Sequence, residues 1–217
     1  MGLSAGIMLV ASFVSLLFPG LRQAEKLFPS NVALAVVLFG LALGYLSIIA
    51  IHEHLPHEHL FKKADVEHKK GLSRAFLIVL AITLHNFPEG LAVGVGFGAQ
   101  DMHNALTLTL AIAIQNVPEG LIVAFGLVSE GVSRRNAFWA ALLSGLVEPL
   151  SSIVGFGATR IATVSLPISF GFAAGAMLLV TCQEIFPELF REGREKSATF
   201  GVVMGIVLMV SLDHLLS

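Results

Sequence analysis

Four carboxylates, Glu89, Glu119, Glu148 and Glu184, lie inside apolar stretches whose interiors hold no Lys or Arg. A charge left uncompensated at bilayer depth costs about 3 kcal/mol on insertion scales, so such acids face a partner or a wet cavity. With no basic side chain at hand, the neutralising charge has to come from bound cations or protons. In His85-Asn86-Phe87-Pro88-Glu89-Gly90-Leu91 the imidazole stands four residues before the carboxylate and the amide three, so one helical face carries all three groups. Gln115-Asn116-Val117-Pro118-Glu119-Gly120-Leu121 repeats those offsets. Two such faces opposed across a bundle make a cage of nitrogen and oxygen donors.

The prolines sharpen this reading. Pro88 and Pro118 offer no N–H to the carbonyls of Leu84 and Ile114; Pro149 does the same to Gly145 beside Glu148, and Pro187 to Gln183 beside Glu184. Broken helices with freed carbonyls beside acids are how transporters hold cations near mid-membrane. A lone Pro-Glu pair could equally be a kink with a protonated acid bonded to a neighbour. Two near-identical copies and a third acid before a proline favour a cation site. One imidazole, several carboxylates and amide oxygens suit zinc, iron(II), cobalt, manganese or cadmium. Calcium or magnesium would want oxygen alone.

Other polar residues say less. His52-Glu53-His54-Leu55-Pro56-His57-Glu58-His59, with His68 beyond, could receive or buffer metal, and a solvated loop without a specific site explains it about as well. Asp101 and His103 read as exposed turn residues, with an entrance as the alternative, and Asp213 and His214 are equally open to both. Cys182 reads as a small core residue. Being the single cysteine, it excludes an internal disulfide and a zinc site built on several thiolates.

These residues need elements that a membrane supports. The chain has 217 residues, 55% hydrophobic and 13% charged, with a mean hydropathy of +0.84. That is too little polar surface for an aqueous globular domain. The formal charge of −2 leaves no polybasic footprint for nucleic acid. Seven apolar stretches run from Leu3 to Phe18, Val32 to Ile51, Ala75 to Phe97, Ala105 to Val128, Ala137 to Ala158, Ile168 to Phe186 and Ala198 to Leu216. The expected fold is an all-α polytopic transmembrane bundle over residues 1–217, with a His-rich cytoplasmic loop at 52–74.

No basic residue precedes the first stretch and no cleavage pattern follows it, so it is read as a helix of the mature protein rather than a signal peptide. Of the Lys and Arg residues, ten fall at the second, fourth and sixth loops and three at the odd ones: Arg22, Lys26 and Arg160. Positive residues favour the cytoplasm, which places Met1 and the even loops inside and the C-terminus outside.

The two Pro-Glu-Gly motifs lie on consecutive helices of opposite direction, the pattern of an inverted repeat. A second echo joins Ala5-Gly6-Ile7-Met8-Leu9 to Ala174-Gly175-Ala176-Met177-Leu178, each followed by a Phe-Pro, Phe18-Pro19 or Phe186-Pro187. Three helices follow the central pair and two precede it, one short of a symmetric three-two-three plan.

Across essentially the whole chain the sequence resembles the ZIP (Zrt-, Irt-like) family of divalent metal transporters, in its bacterial GufA-like branch. The two Pro-Glu-Gly motifs carry the resemblance, supported by Glu148-Pro149, Pro56-His57-Glu58-His59 and Gln183-Glu184. It implies an eight-helix plan in which the seven helices here are the second to eighth, and movement of metal into the cytosol. It further implies a central binuclear site. Met8, His85, Glu89, Gln115 and Glu119 would hold one metal; Asn86, Glu89, Asn116, Glu119 and Glu148 would hold the other, with Glu89 and Glu119 bridging. Gln183, Glu184, His57 and His59 are implicated along the inner exit. The chain departs from the family at Gln183, where His is frequent, at Asn116, where an acid is frequent, and in the first helix.

The expectation is therefore transmembrane transport of divalent transition metal, zinc foremost, with no enzymatic activity and no organic cofactor. Partners are the metal ion and the lipid bilayer, in the plasma or inner membrane, with a homodimer left open. An intramembrane zinc hydrolase is the alternative, weakened by the single intramembrane histidine. A metal sensor or a nonfunctional remnant is a third reading.

Overall fold

The computed structural model describes residues 1–54, 74–162, 164–190, 193 and 195–216, without the side chains of 52–54, 74 and 77. Among these residues there is no strand, and seven helices are long and apolar enough to cross a membrane. They are α1 (Gly2–Glu25), α2 (Ser30–His54), α3 (Arg74–Gly98), α4 (Met102–Ser129), α5 (Arg134–Ala158), α6 (Ser165–Leu189) and α7 (Glu195–Leu216). Each apolar stretch of the sequence falls on one helix. The loop between α2 and α3, with His57 and His59, lies outside the described residues.

Local chemistry sets the ends. Asp101 caps α4, its carboxylate accepting from the Asn104 N–H at 3.1 Å, and Ser133 caps α5, accepting from the Asn136 N–H at 3.3 Å. Just after α4, Gly131 takes φ 86°, a left-handed conformation that glycine adopts without penalty.

The helices pair through small residues. Gly40 and Gly44 of α2 lie against the backbone at Ile168 and Phe172 of α6, and Gly2 and Gly6 of α1 meet Gly201 and Gly205 of α7. On α3, Gly90 and Gly94 face Glu148 and Ser152 of α5; a Cβ at Gly94 would collide with the Ser152 carbonyl. Without a hydrophobic drive between helices in lipid, such close approach is what packs them. Two groups result. In one, α1 and α6 join their partners α7 and α2; in the other, α3 packs closely on α5 and α4 packs on both. The echo between α1 and α6 thus extends to the helix each takes as partner.

Two features were not foreseen. α1 is π-helical over Ser12–Leu17 and α6 over Thr181–Ile185, at corresponding points of the echo. Ser12 Oγ donates to the Met8 carbonyl at 2.7 Å and Thr181 Oγ1 to the Met177 carbonyl at 2.8 Å. Each π-helical segment runs into a Phe-Pro.

The expectation of helices broken at the prolines is corrected. Pro88 and Pro118 lie inside α-helices that continue on both sides, so each removes one donor without ending the helix. The break falls instead in α5, between Arg134–Ser144 and Val147–Ala158. There the Glu148 N–H donates to the Gly145 carbonyl at 3.1 Å, so Pro149 does not leave that oxygen without a donor.

Candidate metal centre

The matched motifs on α3 and α4 meet inside the second group. Gln115 Nε2 donates to Glu89 Oε1 at 2.6 Å, and Asn116 Nδ2 donates to Glu148 Oε2 at 2.8 Å, tying α4 to α3 and to α5. Glu89 and Gln115 are wholly buried, His85, Asn86 and Glu119 nearly so, and Glu148 is half-buried. Each amide spends its NH2 group on a carboxylate and keeps its oxygen as an acceptor.

Eight buried side-chain polar atoms lack a hydrogen-bond partner among the described residues, and half of them belong to the two motifs. Glu89 Oε2, Glu119 Oε2, Gln115 Oε1 and Asn116 Oδ1 are buried and accept no hydrogen bond from any described residue. A buried polar atom without a partner costs about 1–3 kcal/mol, more when charged. Four such oxygens at the two motifs form a site that a cation would complete.

Geometry allows it. His85, Glu89 and Glu119 each offer a ligand atom, all within 4.8 Å of one another. Two ligand atoms on one tetrahedral zinc, each at about 2.0–2.1 Å, stand about 3.4 Å apart, so a contraction of up to about 1.4 Å closes the set. His85 Nδ1 also lies 3.6 Å from Glu184 Oε2, longer than a hydrogen bond and close to that ligand separation.

Beside this group is a partly open cavity of about 40 Å3, room for more than one water or ion. Its polar wall is His85, Glu119, Glu184, Glu188 and Met1, and Ala81, Ile82, Ile122 and Val123 contribute an apolar wall. It lies toward the end of the bundle where α3 begins and α4 and α6 finish.

His85, Asn86, Glu89, Gln115, Asn116, Glu119 and Glu148 are therefore set on the two facing motifs and the adjoining turn of α5, with Glu184 joined through His85. Met8 is buried in the main apolar core, as an ordinary core methionine would be. Gln183 is exposed and does not line the cavity. Cys182 is exposed too, which corrects its reading as a core residue. Glu188 was missed, although Phe186-Pro187-Glu188 repeats the Phe87-Pro88-Glu89 of α3. Asp101 is a cap, and His103 Nε2 stands 3.8 Å from Asp213 Oδ1 at the other end of the bundle.

The sequence profile described as "ZIP Zinc transporter" matches residues 48–213. The chain belongs to the ZIP family. Similar members are "Zinc transporter GufA" of Myxococcus xanthus, 44% identical over 82% of this chain and 70% of that protein, and "Zinc transporter ZIPB" of Bordetella bronchiseptica, 44% identical over 98% and 69%. "Zinc transporter ZupT" of Corynebacterium aurimucosum is 34% identical over 96% and 82%. Membership in ZIP and seven membrane-length apolar helices make the chain an integral membrane protein. The hydrolase reading finds no support, since the ligand cluster holds one imidazole and the ZIP relatives are named as transporters.

Proposed function

We propose that the chain carries divalent transition-metal ions, zinc foremost, across its membrane into the cytosol. The observation that carries this reading is the set of buried, donor-less oxygens on two matched Pro-Glu-Gly motifs beside His85. A hydrated divalent ion exchanging water for carboxylate, amide and imidazole satisfies them together.

In this reading the first metal takes His85, Glu89, Gln115 and Glu119, with Met8 added by family resemblance. The second takes Asn86, Glu89, Asn116, Glu119 and Glu148. Glu184 and Glu188 line the way out, with Gln183 peripheral, and family resemblance adds His57 and His59, which lie outside the described residues. The cavity lies at the end that carries most of the Lys and Arg, the cytoplasmic end by the positive-inside rule, so the arrangement faces inward. Transport then requires the two helix groups to rock and expose the site to the other side.

The test is zinc uptake into proteoliposomes holding the purified chain. The expected result is saturable uptake that Glu119→Ala lowers to the protein-free background. Uptake unchanged by that substitution would refute the proposal.

A further inference from the structure

The end of the bundle opposite the cavity is held by a polar contact that metal binding does not require. Asn104, in the first turn of α4, is buried, and its Nδ2 donates at 2.8 Å to the Ser15 carbonyl in the π-helical segment of α1. Pro19, four residues after Ser15, has no N–H, so that carbonyl has no α-helical i+4 donor, and only the Gly20 N–H at the π-helical i+5 spacing remains for it within the helix.

The bond joins the two helix groups, α1 belonging to one and α4 to the other. On the way from Asn104 to Gln115, α4 presents Leu108, Ala111 and Ile112, buried in the main core with Leu16 of the same π-helical segment. Opening the site toward this end has to separate α4 from α1 there, and breaking the Asn104 bond is part of that separation. At the cavity end, His85 Nδ1 lies 3.6 Å from Glu184 Oε2. In the register that pairs Met8 with Met177, Ser15 stands opposite Glu184, so these two approaches fall on π-helical segments; a further one, His103 Nε2 to Asp213 Oδ1 at 3.8 Å, joins α4 to α7 at the Asn104 end.

We propose that Asn104 is a positioning residue for transport: its bond to the Ser15 carbonyl latches the far end shut and sets how often the site opens there. This rests on the carrier reading above. A latch of one buried hydrogen bond shifts the closed-to-open ratio by roughly tenfold when removed.

Spin labels at Met102→Cys and Phe18→Cys, both exposed positions near this end, report the α4–α1 separation in the full chain, in a Cys182→Ser background and lipid nanodiscs without metal. Asn104→Ala and Asn104→Asp should each add a longer-distance population, about tenfold enriched over the parent. Pro19→Ala should act in the same direction, because it returns an N–H to compete for the Ser15 carbonyl, and combined with Asn104→Ala it should add little. An unchanged distance distribution in the Asn104 variants overturns the latch. If those variants fail to fold, Pro19→Ala alone decides, a shift supporting the proposal and no shift overturning it. Zinc binding measured on the same samples keeps the two readings apart. Altered separation without zinc binding would sink the carrier reading and leave the latch, and zinc binding with unaltered separation would do the reverse.

Discussion

At the scale of residues, function rests on which oxygens have no donor. Gln115 and Asn116 each neutralise one face of a carboxylate and leave their own carbonyls facing a site that offers no hydrogen. The glutamates are not equivalent. Glu119 belongs to the buried cluster and, in the proposed arrangement, would bridge both metals, whereas Glu148, whose carboxylate accepts from Asn116, would serve only the second. Glu119→Ala should therefore reduce zinc stoichiometry at both positions, and Glu148→Ala should remove about one ion and leave the other. Equilibrium dialysis with metal analysis reads this directly; equal loss in both variants would contradict the bridging role. Most of this cluster was legible in the sequence, because helical spacing places His85, Asn86 and Glu89 on one face. Glu188 was not, since only its Phe-Pro-Glu context hints at it. Gln183 was included by resemblance, and the π-helical segment of α6 leaves it exposed.

At the scale of elements, the prolines act by subtraction. An interior proline costs a helix about 3 kcal/mol or more, yet α3 and α4 continue through theirs. Pro118→Ala returns an N–H to the Ile114 carbonyl, so the variant should melt at a higher temperature and carry zinc more slowly. Calorimetry beside vesicle uptake checks both; slower transport with no gain in melting temperature would mean that the proline's role lies elsewhere. Hydropathy located all seven spans because lipid demands length and apolarity. It could not show where a helix turns π-helical or that α5 breaks at Gly145-Leu146, since those depend on packing between helices. The glycine contacts between α3 and α5 have the same origin: Gly90 and Gly94 are plain in the sequence, but the backbone they receive is not.

At the scale of the whole molecule, two helix groups enclose a polar centre while large apolar side chains such as Phe39, Phe125, Ile153 and Phe200 cover the outside. That inversion suits lipid, and the proposed direction rests on the charge asymmetry of the loops. Leu215 is 79% exposed at the C-terminal end of α7. In a Cys182→Ser background, Leu215→Cys should react with a membrane-impermeant maleimide added to intact cells; labelling only after lysis would reverse the orientation and with it the direction of transport. On the proposed reading, acids sunk in hydrocarbon with no Lys or Arg beside them hold metal. Anomalous diffraction from zinc-soaked crystals tests it most directly. Density bounded by His85, Glu89 and Glu119, with a second peak toward Asn116 and Glu148, is expected, and crystals that take up zinc only elsewhere on the chain would overturn the metal assignment.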